Sequence, residues 1–329
     1  MKAQTPCPVC GSYLGTLLSS TDGKSGQPLR VLMCDGCGLG LQDPLPSEAE
    51  LAQWYERHYR QDYKQASQPS LRHVLRAARL ALQRWQWASR HQPHLQPQRT
   101  LDVGASSGEF VYLMRHLGFQ ARGIEPHAGY SLHARQHLGL DVATGSLQSQ
   151  LALQEPGSVD LLSMFHVFEH LTQPIETLQA LRNLLSPKGL LLLEMPDASA
   201  FSSPKNVFFR AHTLYFTPHT LDAVMRAAGL EIVARSYGES ANLMVLARRA
   251  QGLADTVAPS YQPSNALLEG LHKRKWHRYL LRRVLEGHAL KRLAIAREEK
   301  HSAAGYPDAR TLLDSLYSQA LAQKATLTA

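Results

Sequence analysis

The sequence predicts an α/β fold in which a largely parallel sheet is flanked by a cysteine-rich N-terminal module and by C-terminal helices. Between residues 99 and 248, apolar runs of strand length alternate with helical segments, which is the pattern of a parallel sheet covered by helices. All four cysteines lie in the first 37 residues, and residues 271–300 concentrate lysine and arginine in a helical pattern. We therefore expect three kinds of structure along one chain.

The composition is that of an ordinary globular protein. Of the 329 residues, 44% are hydrophobic and 19% are charged. No apolar run reaches the roughly 18 residues that cross a bilayer, and the N-terminus leads into a cysteine motif without an apolar signal core. We expect a cytoplasmic protein with a ribbon at 1–42, a helical cap at 43–97, the α/β domain at 98–250 and a basic helical extension at 251–329.

The cysteines form two C-x-x-C pairs, CPVCG and CDGCG, with 23 residues between them. Two intervening residues let both sulfurs of a pair meet on one tight turn, and the glycine after each pair permits a left-handed backbone. Unrelated redox pairs or disulfides are the alternative, which a reducing cytoplasm disfavours. The pattern predicts a zinc ribbon with a closed, structural Zn²⁺ site formed by Cys7, Cys10, Cys34 and Cys37.

Two helices are predicted between the cysteines and the sheet. Ser47 is a suitable N-cap with Glu50 three residues later, and a second helix spans about 70–91, before the Pro- and Gln-rich stretch HQPHLQPQ. The aromatic residues of the first helix are expected to pack against the next domain; they are Trp54, Tyr55, Tyr59 and Tyr63.

The α/β region contains seven candidate strands. The last two are joined by the short turn GES and are expected to pair antiparallel as a terminal hairpin. Beyond residue 250, a Pro-containing linker precedes helices at about 264–300 and 308–323. The candidate strands are 99–103, 120–125, 140–143, 159–164, 189–194, 230–237 and 242–248.

The first of these strands leads into the small-residue turn LDVGASSGEF and then into a helix. Asp102 ends the strand, and Gly104 and Gly108 let the backbone approach a ligand. Ser106 stands where a dinucleotide fingerprint has its middle glycine. The second strand ends in Glu125, 23 residues after Asp102, which is the placement of an acid that binds ribose hydroxyls. The pattern indicates a nucleotide-like ligand.

The order of these features resembles that of the class I S-adenosylmethionine-dependent methyltransferases. An acidic glycine loop, an acid that ends the second strand and a stretch like FHVFEHL after the fourth strand occur in that family in the same order. The resemblance covers about residues 99–248. It implies a Rossmann-like, seven-stranded methyltransferase sheet and S-adenosylmethionine as the cofactor.

The resemblance also assigns residues to parts of the cofactor. It implies that the Asp102 loop borders the methionine part, that Glu125 holds the ribose and that residues 145–147 flank the adenine. Two positions depart from the family pattern, because Ser106 replaces a frequent glycine and Ser146 replaces a common acid. The implied cofactor residues are Asp102, Gly104, Ala105, Ser106, Gly108, Glu125, Pro126, Ser146, Leu147, Phe165 and His166.

Two other classes of protein compete with this interpretation. An NAD-dependent dehydrogenase needs the missing glycine and a helix N-terminus for its pyrophosphate, whereas S-adenosylmethionine has no phosphate. A scaffold that binds the cofactor without catalysis is disfavoured by the complete set of acids and histidines. The sequence therefore favours a methyltransferase.

Histidines dominate the expected acceptor side. Methyl transfer requires an aligned nucleophile and, where a proton must leave, a base with a pKa near neutrality. The stretch HTLYF resembles the H-x-x-Y-F stretch of a subset of the family that begins with the same cysteine ribbon and includes C-methyltransferases of nucleotide-linked deoxysugars. The resemblance implies that His212 is the general base and that Tyr215 orients it or contacts the acceptor. Further catalytic candidates are His166, Glu169 and His170.

The predicted acceptor is a sugar, a glycan or a similar small hydroxylated molecule. Arg210 and Ala211 stand where an acid often precedes the histidine, and only short basic helices are predicted where sugar C-methyltransferases have a long α/β domain. O-methylation is therefore at least as strongly indicated as C-methylation. An RNA methyltransferase that binds RNA through the ribbon and the basic tail is the alternative, although FHVFEH replaces the N-P-P-Y-type loop of base N-methylation.

Residues 271–300 hold ten Lys or Arg and three Glu, so +7 of the formal net charge of +8 lies there. A packed helix with a solvated cationic face is one interpretation. The others are binding of an anionic acceptor, of RNA phosphates or of an anionic membrane surface. The apolar positions with helical spacing are Trp276, Tyr279, Leu280, Val284 and Leu285.

Overall fold

The computed structural model describes residues 6–47, 49–51, 68–200, 207–237, 241–251, 261, 263–273 and 288–328. The chain divides into two compact units. The first comprises Met1–Arg57, Phe165–Asn183 and Leu190–Glu286, and the second comprises His58–Met164, Leu184–Gly189 and Gly287–Ala329. Segments that are distant in the sequence therefore share each unit.

The first unit contains a small antiparallel sheet. Its strands are β1 (Leu14–Thr21), β2 (Pro28–Cys34), β3 (Gly40–Gln42) and β9 (Leu214–Tyr215), in the order β1-β2-β3-β9. Three strands come from the cysteine-rich segment, but the fourth comes from the distant loop that follows residue 207. In this pairing Gly40 lies opposite Tyr215 and Leu41 lies opposite Leu214. The ribbon sheet is thus completed by the segment in which the sequence places the candidate base.

Seven strands form the large sheet: β4 (Arg99–Val103), β5 (Gln120–Glu125), β6 (Asp141–Thr144), β7 (Val159–Phe165), β8 (Leu185–Pro196), β10 (Leu230–Ser236) and β11 (Asn242–Arg249). Their order is β10-β11-β8-β7-β4-β5-β6. β4 pairs in parallel with β5 and β7, whereas β11 pairs antiparallel with β10 and β8. This confirms the predicted Rossmann-like α/β fold and its antiparallel terminal hairpin.

The predicted strand positions agree with the structure, with one larger difference in β8. Prediction placed this strand at 189–194, but it begins at Leu185 and ends at Pro196. The stretch SPKG contains Pro and Gly, which usually mark a turn, so the sequence predicts a later start for this strand. The extension at the C-terminal end follows from pairing with β11, in which Asn242 lies opposite Pro196.

The helices are α1 (Leu71–His91), α2 (Glu109–His116), α3 (Ala128–Leu138), α4 (Leu147–Leu151), α5 (Pro174–Leu184), α6 (Pro218–Ala227), α7 (Ala266–Lys273), α8 (His288–Ala304) and α9 (Ala309–Thr328). In the second unit, Glu299 of α8 accepts hydrogen bonds from Arg72 Nε (3.0 Å) and Arg76 Nε (2.9 Å) of α1. Tyr317 of α9 is fully buried, and its hydroxyl donates to Glu109 O at 2.8 Å. These contacts attach the C-terminal helices to the α/β core of that unit.

The capping box predicted before the first helix is present. Ser47 N donates to Glu50 Oε2 at 2.8 Å, and Glu50 N donates to Ser47 Oγ at 3.3 Å. In the part of the chain that the structure describes, no helix combines the length and apolar character of a membrane span. Two predicted sets lie outside the described residues: Trp54, Tyr55, Tyr59 and Tyr63 of the first helix, and Trp276, Tyr279, Leu280, Val284 and Leu285 of the basic segment.

Candidate active site

The four cysteine sulfurs converge within the first unit, where they lie within 4.8 Å of one another; they belong to Cys7, Cys10, Cys34 and Cys37. Backbone hydrogen bonds close each turn, from Gly11 N to Cys7 O and from Gly38 N to Cys34 O, both at 2.9 Å. The two glycines have φ of 72° and 79°, which confirms the predicted left-handed backbone. Four sulfurs arranged in this way suit a tetrahedral metal ion with no open position.

In the second unit, the glycine loop after β4 turns back on β5. Gly104 N and Ala105 N both donate to Ile124 O, at 2.8 and 2.9 Å, and Ser106 N donates to Glu125 Oε2 at 2.8 Å. Ser106 has φ of 52°, in the left-handed region that glycine adopts without steric cost. The serine therefore occupies the backbone conformation for which the family usually selects glycine.

Two buried carboxylates border this loop. Glu125 Oε1 also accepts from His127 N at 2.8 Å, and Asp102 Oδ1 accepts from Ser163 Oγ at 2.6 Å. Burial raises the pKa of Asp102 to about 7, although the hydrogen bond from Ser163 opposes that effect. Both acids lie at the carboxyl ends of parallel strands, where open α/β sheets bind their ligands.

Gly108 is the N-cap of α2 and has φ of 93°. A Cβ at this position would lie 2.5 Å from Leu140 Cδ1 and 3.2 Å from Ala134 Cβ. Both the backbone conformation and the close packing therefore require glycine here.

The other predicted cofactor residues lie around β5, α4 and β7. Pro126 is exposed and Leu147 is buried. The Ser146 hydroxyl caps α4 by accepting from the backbone N–H three residues later at 3.3 Å. Phe165 ends β7, and His166 follows it with φ of 55°. Their roles toward the cofactor stay predictions.

In the first unit, the short 3₁₀ turn Phe168–His170 places Glu169 among three histidines. Glu169 Oε1 lies 3.5 Å from His166 Nδ1 and 3.9 Å from His170 Nε2. The same oxygen lies 3.8 Å from His212 Nε2. Glu169 is 2% exposed, and neither of its carboxylate oxygens has a hydrogen-bond partner among the described residues. Four of the five predicted catalytic residues thus form one cluster, called here the Glu169 cluster.

Two residues that the sequence analysis missed extend this cluster. His166 Nε2 lies 3.7 Å from Glu194 Oε1, and Asn242 Nδ2 donates to that oxygen at 2.6 Å. Glu194 could have been noticed as a lone acid in the apolar strand LLLLEMP, because a buried charge in a core strand needs a partner. Asn242 carries no such signal, since it simply begins the last strand.

Mutual charges shift the pKa values in the Glu169 cluster. Burial acts to raise the pKa of Glu169, but His170, His166 and His212 outweigh it and hold the value at about 2. Partial burial acts to lower the pKa of His166, but Glu169 and Glu194 raise it to about 9. Burial, assisted by the charge of His170, lowers the pKa of His212 to about 3. Near neutral pH the cluster therefore holds an ionised Glu169, a protonated His166 and a neutral His212.

The ribbon fixes the loop that carries His212. Gln42 Nε2 donates to Arg210 O at 2.8 Å and to His212 O at 2.7 Å, and Gln42 N donates to Thr213 O at 3.0 Å. These bonds continue the pairing of β3 with β9. The buried side chain of Gln42 therefore holds the backbone on both sides of Ala211.

The turn between β1 and β2 holds the same loop from its other end. Asp22 Oδ2 accepts from Arg210 N at 2.8 Å, and Gly23 N donates to Phe208 O at 2.8 Å. The Tyr215 hydroxyl donates to Phe209 O at 3.3 Å. The loop that carries His212 is thus anchored to the cysteine-rich module at several points.

A cavity of about 210 Å³ adjoins this loop within the first unit. His212 and Glu169 contribute to one part of its wall, and Tyr215 contributes an aromatic ring. The complete lining is Glu169, Pro196, Asp197, Ala198, Val207, His212, Leu214, Tyr215, Ala241 and Asn242. Apolar side chains and two members of the Glu169 cluster therefore line the same cavity.

The sequence matches the family described as Methyltransferase domain over residues 70–235, about half of the chain. The chain belongs to this family. Together with the sheet order and the glycine loop, the match identifies a class I S-adenosylmethionine-dependent methyltransferase domain.

Two similar curated proteins are both named Ubiquinone biosynthesis O-methyltransferase. The protein of Albidiferax ferrireducens is 30% identical over 155 residues, which cover 44% of this chain and 61% of that protein. The protein of Burkholderia thailandensis is 28% identical over 169 residues, which cover 46% of this chain and 71% of that protein. The chain therefore spans less than two thirds of the length of the first of these relatives.

Solved structures with a similar fold include two described as S-adenosylmethionine-dependent methyltransferases. One, from Thermotoga maritima and described as a possible histamine N-methyltransferase, is 20% identical with a TM-score of 0.44, covering 60% of this chain and 99% of that one. The other, from Archaeoglobus fulgidus, is 16% identical with a TM-score of 0.42, covering 51% and 93%.

Proposed function

We propose that this protein transfers the methyl group of S-adenosylmethionine to a hydroxyl oxygen of a ring-sized organic acceptor, with His212 as the proton acceptor. The observation that carries the proposal is the cavity of about 210 Å³ that has His212 and the buried Glu169 in its wall. Such a cavity can bind an acceptor next to a group able to take its proton.

The glycine loop and its two acids support S-adenosylmethionine as the methyl donor. When bound, it supplies a methyl group that its sulfonium has already activated. The proposal assigns the methionine part to the Asp102 loop, the ribose to Glu125 and the adenine to the region of Ser146 and Leu147. The remaining proposed cofactor residues are Gly104, Ala105, Ser106, Gly108, Pro126, Phe165 and His166.

The size and lining of the cavity favour a ring-sized acceptor. A cavity of about 150 Å³ holds benzene, whereas drug-sized ligands occupy about 300 Å³ or more. The volume of about 210 Å³ lies between these limits. Because half of the lining side chains are apolar, the acceptor would combine an apolar body with at least one hydroxyl group.

The Glu169 cluster can perform the proton transfer. The acceptor hydroxyl gives its proton to His212 Nε2, its oxygen bonds to the methyl carbon, and the carbon–sulfur bond breaks to leave S-adenosylhomocysteine. Because burial lowers the pKa of His212 to about 3, Nε2 takes the proton only as the oxygen–carbon bond forms, when the acceptor O–H becomes strongly acidic. Glu169 Oε1, 3.8 Å from Nε2, stabilises the imidazolium that forms, and the proton then passes to solvent. The protonated His166 keeps Glu169 ionised, and His170 positions the loop because its Nδ1 donates to Ala211 O at 2.6 Å.

The ribbon is proposed to bind one Zn²⁺ through its four cysteines. A site closed by four thiolates leaves no position for substrate, so its contribution is structural. The zinc site would stabilise the ribbon strands, and these strands hold the loop that carries His212. The proposed zinc ribbon thus supports the acceptor site and need not read RNA.

Two acceptor classes follow from different observations. The O-methyltransferase names of the curated relatives and the apolar lining favour a ring hydroxyl on an apolar body, such as a phenol. The His212-Tyr215-Phe216 stretch favours a sugar, and a deoxysugar also has an apolar face. The RNA alternative rests on the ribbon and on the basic segment 271–300, of which the structure describes only 271–273 and 288–300.

The test is methyl transfer by the full-length protein, followed by release of S-adenosylhomocysteine. The panel comprises substituted phenols, nucleotide-linked sugars and total RNA, and Asp102→Asn serves as the blank. We expect turnover with a phenol or a sugar and a decrease in kcat of about 10²-fold or more for His212→Gln. The exposed His94→Gln is the matched control, and it should retain full activity. Methylation of RNA alone would contradict the proposal.

A further inference from the structure

The buried carboxylate of Glu169 raises a separate question of charge compensation. It is 2% exposed, and among the described residues neither of its oxygens has a hydrogen-bond partner. An ionised carboxylate in such surroundings is costly unless a cation or several donors face it. Histidine nitrogens surround Oε1 at 3.5 to 3.9 Å, which is beyond hydrogen-bond distance. The geometry leaves room between these atoms.

His170 is oriented as metal-binding histidines usually are. Its Nδ1 lies 2.6 Å from Ala211 O. A carbonyl oxygen only accepts, so Nδ1 carries the proton and Nε2 carries the lone pair in the neutral ring. Nε2 faces Glu169 Oε1 at 3.9 Å. A histidine that donates one ring N–H to a backbone carbonyl and presents the other nitrogen is the common arrangement around bound metals.

His212 supplies the third ligand atom, and side-chain shifts of about 1 Å would bring the three atoms to one ion. Its Nε2 lies 3.8 Å from Glu169 Oε1, and the three candidate ligand atoms lie within 4.8 Å of one another. Ligand atoms that bind one zinc ion at about 2.1 Å in a tetrahedral site are about 3.4 Å apart. Binding would therefore shorten the two distances from Glu169 Oε1 by about 0.5 Å and bring the two imidazole nitrogens closer by up to about 1.4 Å.

From this arrangement we infer that Glu169, His170 and His212 bind a divalent transition-metal cation whose open coordination position faces the acceptor cavity. The inference rests on the proposed function and deepens it. Two imidazoles and one carboxylate suit Mn²⁺, Fe²⁺, Co²⁺ or Zn²⁺.

The cation would take over the activation of the acceptor. An acceptor hydroxyl that reaches the open position loses its proton to solvent more readily because the cation lowers its pKa. The oxygen then bonds to the methyl carbon, the carbon–sulfur bond breaks, and S-adenosylhomocysteine leaves. In the metal-bound enzyme His212 is a ligand, and in the metal-free enzyme its Nε2 is the proton acceptor.

The test uses Mn²⁺, which prefers nitrogen and oxygen ligands and therefore distinguishes this site from the four thiolates of the ribbon. Mn²⁺ is titrated into the full-length protein, freed of loosely bound metal, and the free ion is followed by electron paramagnetic resonance. We expect one bound ion and a loss of affinity of about 10-fold or more in Glu169→Gln and in His212→Gln. His94→Gln is the control. Equal affinity in all variants, or no binding by the unaltered protein at millimolar Mn²⁺, would overturn the inference.

Circular dichroism of each variant shows whether a loss of binding reflects a loss of fold. If Glu169→Gln unfolds, the conservative variant Glu169→Asp replaces it, and this variant should bind Mn²⁺ with reduced affinity.

Activity measurements then distinguish the two proposals. Stimulation by Mn²⁺ of about 10-fold or more supports both. Turnover that is the same with and without bound Mn²⁺ overturns the activating role and leaves His212 as the base. Binding of Mn²⁺ and S-adenosylmethionine without turnover of any acceptor class contradicts the proposed function alone.

Discussion

Gly108 shows how a single residue sets the shape of the glycine loop. Its φ is 93°, and an added Cβ would lie 2.5 Å from Leu140 Cδ1. Gly118 has nearly the same φ, 89°, but no atom lies within 4 Å of its Cβ position. A substitution at Gly118 would therefore introduce backbone strain alone, whereas one at Gly108 would introduce both strain and steric overlap.

We expect Gly118→Ala to lower the free energy of unfolding by about 1 kcal/mol, the cost of a left-handed alanine. Gly108→Ala should cost about 1–3 kcal/mol more, because the methyl group also displaces Leu140. It should also weaken binding of S-adenosylmethionine. Urea unfolding and calorimetric titration of both variants provide the measurement. Equal losses in the two variants would show that packing around Gly108 is not tight.

His212 carries a second prediction, which concerns pH. Its pKa in the folded protein is lowered to about 3 by burial, whereas in the unfolded chain it is about 6.5. Between these values the unfolded chain binds more protons, so His212 destabilises the fold increasingly as the pH falls from about 6.5. Glu169, whose pKa is also lowered, adds to the loss below its unfolded value of about 4.3.

Urea unfolding of the unaltered protein and of His212→Gln at several values between pH 7.5 and pH 5 tests this. The unaltered protein should lose up to about 1.4 kcal/mol more per pH unit than the variant below pH 6.5. Parallel pH profiles would mean that His212 is not buried in its neutral form.

At this scale the sequence predicted side chains better than their contacts. His212, Glu169, His166 and His170 were chosen from two short motifs, and the structure brings them together. Gln42 was not found, because its importance depends on a strand pairing with a segment far along the chain. Local periodicity contains no information about such a partner.

The pairing of β3 with β9 holds the loop that carries His212, the proposed base. β9 has only two residues, too few to be stable without its partner. The strand was not predicted, because two residues give no alternating pattern. The seven strands of the large sheet were predicted, because each is an apolar run bounded by turn residues.

Gln42→Ala tests this element. Removing the side chain leaves Arg210 O and His212 O without their buried donor, at a cost of about 1–3 kcal/mol for unsatisfied groups. We expect kcat for the acceptor to fall by about 10-fold, since a small displacement of His212 suffices, while the Kd for S-adenosylmethionine stays unchanged. Gln27→Ala, an exposed glutamine of the same ribbon, is the control. Equal kcat in both variants would show that Gln42 does not position His212.

At the scale of the whole molecule, a methyltransferase domain is combined with a cysteine-rich module whose strands pair with the segment that carries the proposed base His212. The first unit contains the ribbon, the Glu169 cluster and the cavity, and the second contains the glycine loop with Asp102 and Glu125. The sequence predicted both modules but treated them as separate. The first unit combines the ribbon with later segments of the chain through long-range contacts, which local sequence patterns do not reveal.

Removal of the ribbon metal should therefore separate acceptor turnover from cofactor binding. Cys34→Ser weakens the proposed zinc site, releases the ribbon strands and with them β9. We expect loss of methyl transfer, while the Kd for S-adenosylmethionine rises by less than about 10-fold, since the glycine loop lies in the other unit. Zinc content, turnover and calorimetric titration measure the three quantities. Full turnover by a zinc-free protein would contradict this role of the ribbon.

The central claim is that the Glu169 cluster activates the acceptor, and it is tested most directly by Glu169→Gln. The measurement is kcat for methyl transfer, together with the Kd for S-adenosylmethionine, in the unaltered protein and in this variant. We predict a decrease in kcat of about 10²-fold or more at an unchanged Kd, because the carboxylate supports His212 or the cation in either form of the mechanism. An unchanged kcat in a folded Glu169→Gln protein would place the acceptor chemistry elsewhere and contradict the account.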